Sequence, residues 1–229
     1  MQILKLIEKG LEVLNQRKQT TANEITWLGG RKMSQARTLN EKELKLLLLY
    51  INTRKYAARD RAMVLMTYYA GMRIGETVAV KVGDVLNADG SIKQEVRLTA
   101  EQTKGKYART VILSEKLRKE LQTYLQHRYC TKQLSLVSQA ELKKPLFATQ
   151  KREGFTANTG AYHMHMLYKA AGITGASSHS GRRSFLTLLS SKSVPLKVMM
   201  ELAGHRQAQT TMRYIDVTVD MKKAAVELI

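Results

Sequence analysis

Cysteine is almost missing from this chain. Cys130 is the single one among 229 residues, so an internal disulfide and a four-thiolate zinc site are both excluded. A reducing cytoplasm suits such a chain. Acidic residues are scarce too, with 19 Asp and Glu against 38 Lys and Arg, for a formal net charge of +19. Nucleic acid is the usual partner of so broad a positive field, because each neutralised phosphate releases counterions. A ribosome-type or merely soluble basic protein carries the same charge, so composition divides about evenly between these readings. A membrane-surface role is weaker, since no long basic amphipathic helix stands out. Long apolar runs are also lacking. The opening segment, MQILKLIEK, places a charge inside every short apolar stretch and offers no small-residue cleavage site. It reads as neither signal peptide nor membrane span. No glycine-rich nucleotide loop of either common type is present, so neither ATP nor a dinucleotide is implied.

What the chain does contain is enough apolar sequence for one sizeable domain with a core, plus a short appendage. Residues 1–37 read as a short helix and connector, with Ile3, Leu4, Ile7, Leu11 and Leu14 forming the stripe. A compact domain is expected over residues 38–229. Asn40 can cap its first helix with Glu43 reaching back, while Leu39 staples onto Leu44. A buried helix from about Arg59 to Ala70 should stop at Gly71 in a left-handed turn. The period then changes. Val96, Leu98 and Ala100 alternate with polar residues, as do Val111 and Leu113, which predicts a hairpin turning at residues 103–106. Helical patterning returns at 114–127, 158–171, 180–191, 195–202, 207–214 and 219–228. The expected class is mainly α with a small antiparallel β-sheet (α+β).

The last fifty residues hold polar groups that a core does not require: His179 and Arg182, then Gly204-His205, then Thr210-Thr211 and Tyr214. His205 stands 26 positions after His179, and Tyr214 nine after His205. With each letter arising about once in twenty residues, so many fixed positions are not accidental. Arginine suits a phosphate because its planar fork grips two oxygens and keeps its proton. Imidazole titrates near neutrality and can take a phenolic proton, which turns tyrosine into a nucleophile. His179 and Arg182 lie one helical turn apart, so both can face one phosphate.

This run resembles the C-terminal signature of the tyrosine recombinase (phage integrase) family: H-x-x-R, then G-H, then a tyrosine nine residues on. Upstream, Gly71-Met72-Arg73 followed by Glu76 resembles the family's first arginine motif; alone, such a tripeptide is usually a surface arginine past a helix end. Glu76 is expected to be a structural partner. Lys104, before the turn glycine, matches the family's catalytic lysine, with Lys106 the alternative on the same turn. The resemblance implies that Tyr214 attacks a DNA phosphate and becomes joined to the 3′ end. Arg73, Arg182 and His205 would stabilise the five-coordinate transition state, with Lys104 as general acid and His179 as general base. Lys106, Arg109, Arg183, Arg206 and Arg213 are expected DNA contacts. No metal or nucleotide cofactor is implied, and the partners are double-stranded DNA and further copies of the chain, a tetramer on two sites, with accessory DNA-bending proteins a further option. The segment after Tyr214, with Val219, Met221, Ala225 and Leu228, could face a neighbouring protomer or fold back.

Two departures stand out. Gly181 and Arg183 replace an aliphatic residue and a second histidine common in the family; the first is expected to alter packing, the second to add a phosphate contact. Residues 1–37 are too few for the helical domain that precedes most family catalytic domains, which leaves a minimal recombinase or a shortened chain. A type IB topoisomerase shares the nucleophile and clamp, and a silent DNA-binding regulator shares the fold. The spacing favours the recombinase over the first, and the full residue set favours it over the second. His163 and His165 are two apart on a helix, so a metal site there is not expected. Cys130 and the other tyrosines, including Tyr68 and Tyr69, read as structural or incidental.

Overall fold

The computed structural model describes residues 36–103, 105–150, 152–215 and 219–227. The N-terminal stripe, Lys104 and Leu228 therefore lie outside the described residues. Helix α1 (Glu41–Asn52) starts on the expected box: Asn40 Oδ1 accepts from the Glu43 N–H, and Glu43 accepts from the Asn40 N–H. That satisfies two of the orphan donors of a helix start. Leu39, Leu44, Leu47 and Ile51 form the buried edge of the helix.

Helix α2 (Ala57–Tyr69) is the centre of the domain. Ala62 through Tyr68 are all buried, as an all-round apolar helix must be. It ends as the sequence suggested, with Gly71 at φ 59°. Short helices α3 (Ile74–Ala79) and α4 (Val82–Val85) follow. Neither was visible in the sequence pattern, since six and four residues give too little periodicity to read.

Strands β1 (Glu95–Leu98) and β2 (Arg109–Ile112) pair antiparallel, with Val96 opposite Val111. Ala100 and Leu113, expected at the strand ends, fall outside them. The hairpin is tied at its base by Thr103, whose hydroxyl accepts from the Tyr107 N–H at 3.1 Å. Helix α5 (Glu115–Tyr129) packs on α2, and a single 3-10 turn (Leu134–Leu136) and α6 (Gln139–Leu142) lead on to α7 (Ala157–Ala170). His163 on α7 is half-buried and shares a 2.9 Å hydrogen bond with Asp60 of α2, whereas His165 is exposed. A carboxylate thus lies beside His163 that the local sequence did not suggest. Among the described residues no group of three His, Cys, Asp or Glu is placed to hold a metal.

Helix α8 (Ser180–Ser191) lies closely against α2. The reason is Gly181: a Cβ there would penetrate the Thr67 side chain on α2. The departure from the family pattern is therefore a packing one, as expected. Helices α9 (Leu196–Ala203), α10 (Ala208–Met212) and α11 (Val219–Val226) complete the domain. Helix α10 is shorter than the sequence pattern implied. Tyr214 and Ile215 instead sit in tight turns, their N–H groups donating to Thr211 and Met212 carbonyls. A small second apolar cluster, Leu186, Met199 and Ala203 with Phe185, Leu189 and Tyr214 against it, holds this end of the chain to α8.

Candidate active site

Arg182 is 3% exposed and its contacts define the site. The close approach at Gly181 brings its guanidinium to the end of α2, where Nη1 donates to the Gly71 carbonyl at 2.6 Å. Nη2 donates to the Ala203 carbonyl at 2.7 Å and to His205 Nε2 at 2.7 Å. One side chain from the first turn of α8 thus joins the C-terminal ends of α2 and α9. Burial, then the charge of Arg73, pushes the Arg182 guanidinium down to about 9, which leaves it charged at neutral pH.

Arg73 stands at the N-cap of α3 and its Nη1 donates to Glu76 Oε1 at 2.9 Å. Glu76 is 1% exposed and also accepts from Arg109 Nη2 at 2.7 Å. Burial alone would raise the Glu76 carboxyl, yet Arg109 and then Arg73 hold it below the usual range. Glu76 is a structural anion between two arginines, in line with its expected role.

Gly204 adopts φ 65° and ends α9, and the His205 N–H donates back to the Met200 carbonyl at 2.9 Å. Only glycine fits there, because a Cβ would come within 2.5 Å of Arg109 Cδ. His205 is buried and bonded on both nitrogens: Nε2 to Arg182, and Nδ1 to Thr211 Oγ1 at 2.8 Å. Burial, followed by Arg182, Arg73 and Arg109, pushes its imidazole down to about 4. The ring is therefore neutral at pH 7. Tyr214 lies against it, ring centroids 6.0 Å apart and planes 18° from parallel. The Arg183 guanidinium covers the Tyr214 ring at 5.5 Å.

The sequence-predicted residues divide clearly. Arg73, Arg182, His205 and Tyr214 converge. His179 is the exposed N-cap residue of α8, its N–H donating to Ser177 Oγ. Lys106 is exposed on the hairpin with φ 55°, and Arg213 is exposed after α10. Arg206 is exposed and lies 4.3 Å over the Tyr107 ring. Arg109 departs from its expected place on the DNA-facing surface. Its side chain is 11% exposed and committed to Glu76 and, through Nη1, to the Leu202 carbonyl at 3.0 Å. A cleft of about 490 Å³ opens between Arg73, the hairpin and the His205 turn. Sequence reasoning gave Thr211 no role, although its place within the signature run was the available signal.

A mostly helical domain with one hairpin, in which a cleft lined by Arg73 and His205 has Arg182 bonded to that histidine and Tyr214 against its ring, has the architecture of tyrosine recombinase catalytic domains. The chain belongs to the phage integrase family, whose model matches residues 37–221. It is 30% identical over 192 residues to tyrosine recombinase XerA of Thermococcus kodakarensis, covering 83% of this chain and 62% of that one. The crystal structure of XerA recombinase superposes with a TM-score of 0.64 at 24% identity, over 83% of this chain and 64% of the other. The XerH site-specific recombinase bound to its difH substrate aligns with a TM-score of 0.61 at 23% identity, over 90% of this chain and 58% of that one. The chain spans about 60% of the length of the relatives it matches.

Proposed function

We propose that this protein is a site-specific DNA recombinase that cuts and rejoins strands through a 3′-phosphotyrosyl link. The observation that carries the reading is the Arg182 side chain, which holds His205 in the wall of the cleft that Arg73 also lines, with the Tyr214 ring against that histidine. A phosphodiester seated there meets two fixed cations before any bond changes, and such preorganised charge is the largest catalytic factor in reactions of this type. Tyr214 Oη forms a bond to the scissile phosphorus as the bond to the 5′ oxygen breaks. The phenolic proton passes to His179, and Lys104 supplies a proton to the departing 5′ oxygen. The energy of the broken ester is retained in the protein–DNA bond, so rejoining to another strand requires no nucleotide hydrolysis.

The XerH structure on difH is that of a recombinase with its DNA, and a net charge of +19 suits the same partner here. Residues 38–229 act as the catalytic domain and residues 1–37 as an appendage. Lys106, Arg183, Arg206 and Arg213 serve as backbone contacts. Working complexes are homo-oligomers on paired sites, and one cysteine together with a DNA substrate suits the cytoplasm. Among the described residues no helix is long and apolar enough to cross a membrane.

A nicked duplex suicide substrate, built from a sequence selected by binding, tests the proposal. A denaturation-resistant protein–DNA adduct that is lost in Tyr214→Phe is the expected result. Relaxation of any plasmid without site dependence would instead mean a topoisomerase, and no adduct at all a silent regulator.

A further inference from the structure

Arginine can only donate hydrogen bonds. Its 2.7 Å contact with His205 therefore makes Nε2 the acceptor, and the single proton of the neutral ring sits on Nδ1, donated to Thr211 Oγ1. Both Nη2 hydrogens of Arg182 are thereby committed, to Ala203 and to His205. In this state His205 has no hydrogen free for a phosphate oxygen, since Nε2 presents a lone pair to Arg182 and the Nδ1 hydrogen is committed to Thr211. A phosphodiester that draws an Arg182 hydrogen away from His205 leaves that lone pair facing an anion, which is repulsive until the nitrogen gains a proton.

Thr211 is fully buried, and its hydroxyl is the one kind of group that resolves this. It accepts from Nδ1–H in the empty site and, by rotating, donates to a bare Nδ1 in the filled one. We propose that Thr211 is a positioning residue that exchanges the tautomer of His205, turning Nε2 from acceptor to donor when a phosphodiester enters. The proton balance is simple. Nδ1 gives one proton to water, Nε2 takes one from water, and the ring stays neutral throughout. The groups facing His205 are Arg182 of α8, Tyr214 after α10, and the Arg73–Glu76–Arg109 cluster of α3 and β2. The proposal rests on the recombinase reading, but its first test does not.

That test is nitrogen NMR of the full-length protein labelled at histidine. Without DNA, His205 is expected as the Nδ1–H tautomer; an Nε2–H tautomer would overturn the proposal. The second measurement adds the selected duplex to Tyr214→Phe, which cannot cleave. Nε2 should become protonated, and an unchanged ring would also overturn it. Third, single-turnover cleavage compares two variants. Thr211→Ser keeps a rotating hydroxyl and should retain most of the rate. Thr211→Val keeps the shape and leaves Nδ1 unpaired in the filled state, so cleavage should fall roughly tenfold to a hundredfold with DNA affinity unchanged. Equal rates in the two variants would mean that Thr211 only fills space. Should the wild-type protein give no adduct, the recombinase reading fails, while the DNA-free tautomer still reports on the Thr211 pairing.

Discussion

The Arg109 guanidinium runs directly beneath Gly204 and holds Glu76 with one nitrogen and the Leu202 carbonyl with the other. A residue on the hairpin thus sets the height of the turn that carries His205. Gly204→Ala must displace Arg109 and adopt a left-handed backbone besides, a combined cost of at least about 2 kcal/mol. We expect folded protein with a lower melting midpoint and little adduct formation. Unchanged cleavage by Gly204→Ala would show that the turn does not depend on this contact.

Arg109→Ala leaves Glu76 buried with one cation fewer. Breaking a buried pair in this way costs about 3–5 kcal/mol, discounted somewhat because Arg73 remains. Urea unfolding should show a clear loss of stability, larger than that of Arg213→Ala, whose side chain is exposed. A loss no greater than that of Arg213→Ala would place Arg109 on the surface after all.

Arg182→Lys retains the charge and discards the fork. A lysine cannot serve Gly71, Ala203 and His205 together in the same planar geometry. Adduct formation should drop by at least about a hundredfold while salt-dependent DNA binding changes little. The comparison of binding with single-turnover cleavage separates the two effects.

Gly181→Val introduces the kind of side chain common in the family and collides with Thr67. Overpacking of a tight helix contact costs about 1–3 kcal/mol. Thr67→Ala on the same background should recover part of that loss. Additive effects of the two substitutions would argue that the helices do not meet there.

Acid should weaken the fold before the carboxylates titrate. His205 is pushed down to about 4 in the folded protein from an ordinary value of 6.5. Between those values the unfolded chain binds the extra proton, so stability falls as pH drops through that window. Asp60 and Glu76 are held below their ordinary values, so their contribution is lost mainly at lower pH. The stability of His205→Gln, measured against pH by denaturant unfolding, should be flatter than wild type from 6.5 down to 4.

Much of the site was legible because its chemistry demands particular letters at particular intervals. The α1 capping box, the stop at Gly71, helix α8 and the spacing from His179 to Tyr214 are local patterns, and local patterns are written in order along the chain. What escaped is set by distant partners. Nothing near Arg109 in sequence announces that it is spent on Glu76 and Leu202. Asp60 and His163 are separated by 103 positions and meet only once the chain has folded. The shortness of α10, and the turn that carries Tyr214, follow from contacts with the second apolar cluster rather than from the helical period of residues 207–214.

The interior carboxylate of Glu76 pairs with Arg73 and Arg109, and its charge also acts on the nearby Arg182. Three guanidinium groups around one carboxylate leave the cluster short of negative charge, and the fold carries that mutual repulsion as a standing cost. A nucleic acid backbone supplies the missing anion. Substrate entry and internal cohesion are then one event, so even an uncleavable duplex should raise the melting midpoint, and more in the native protein than in a variant with Arg73 neutralised.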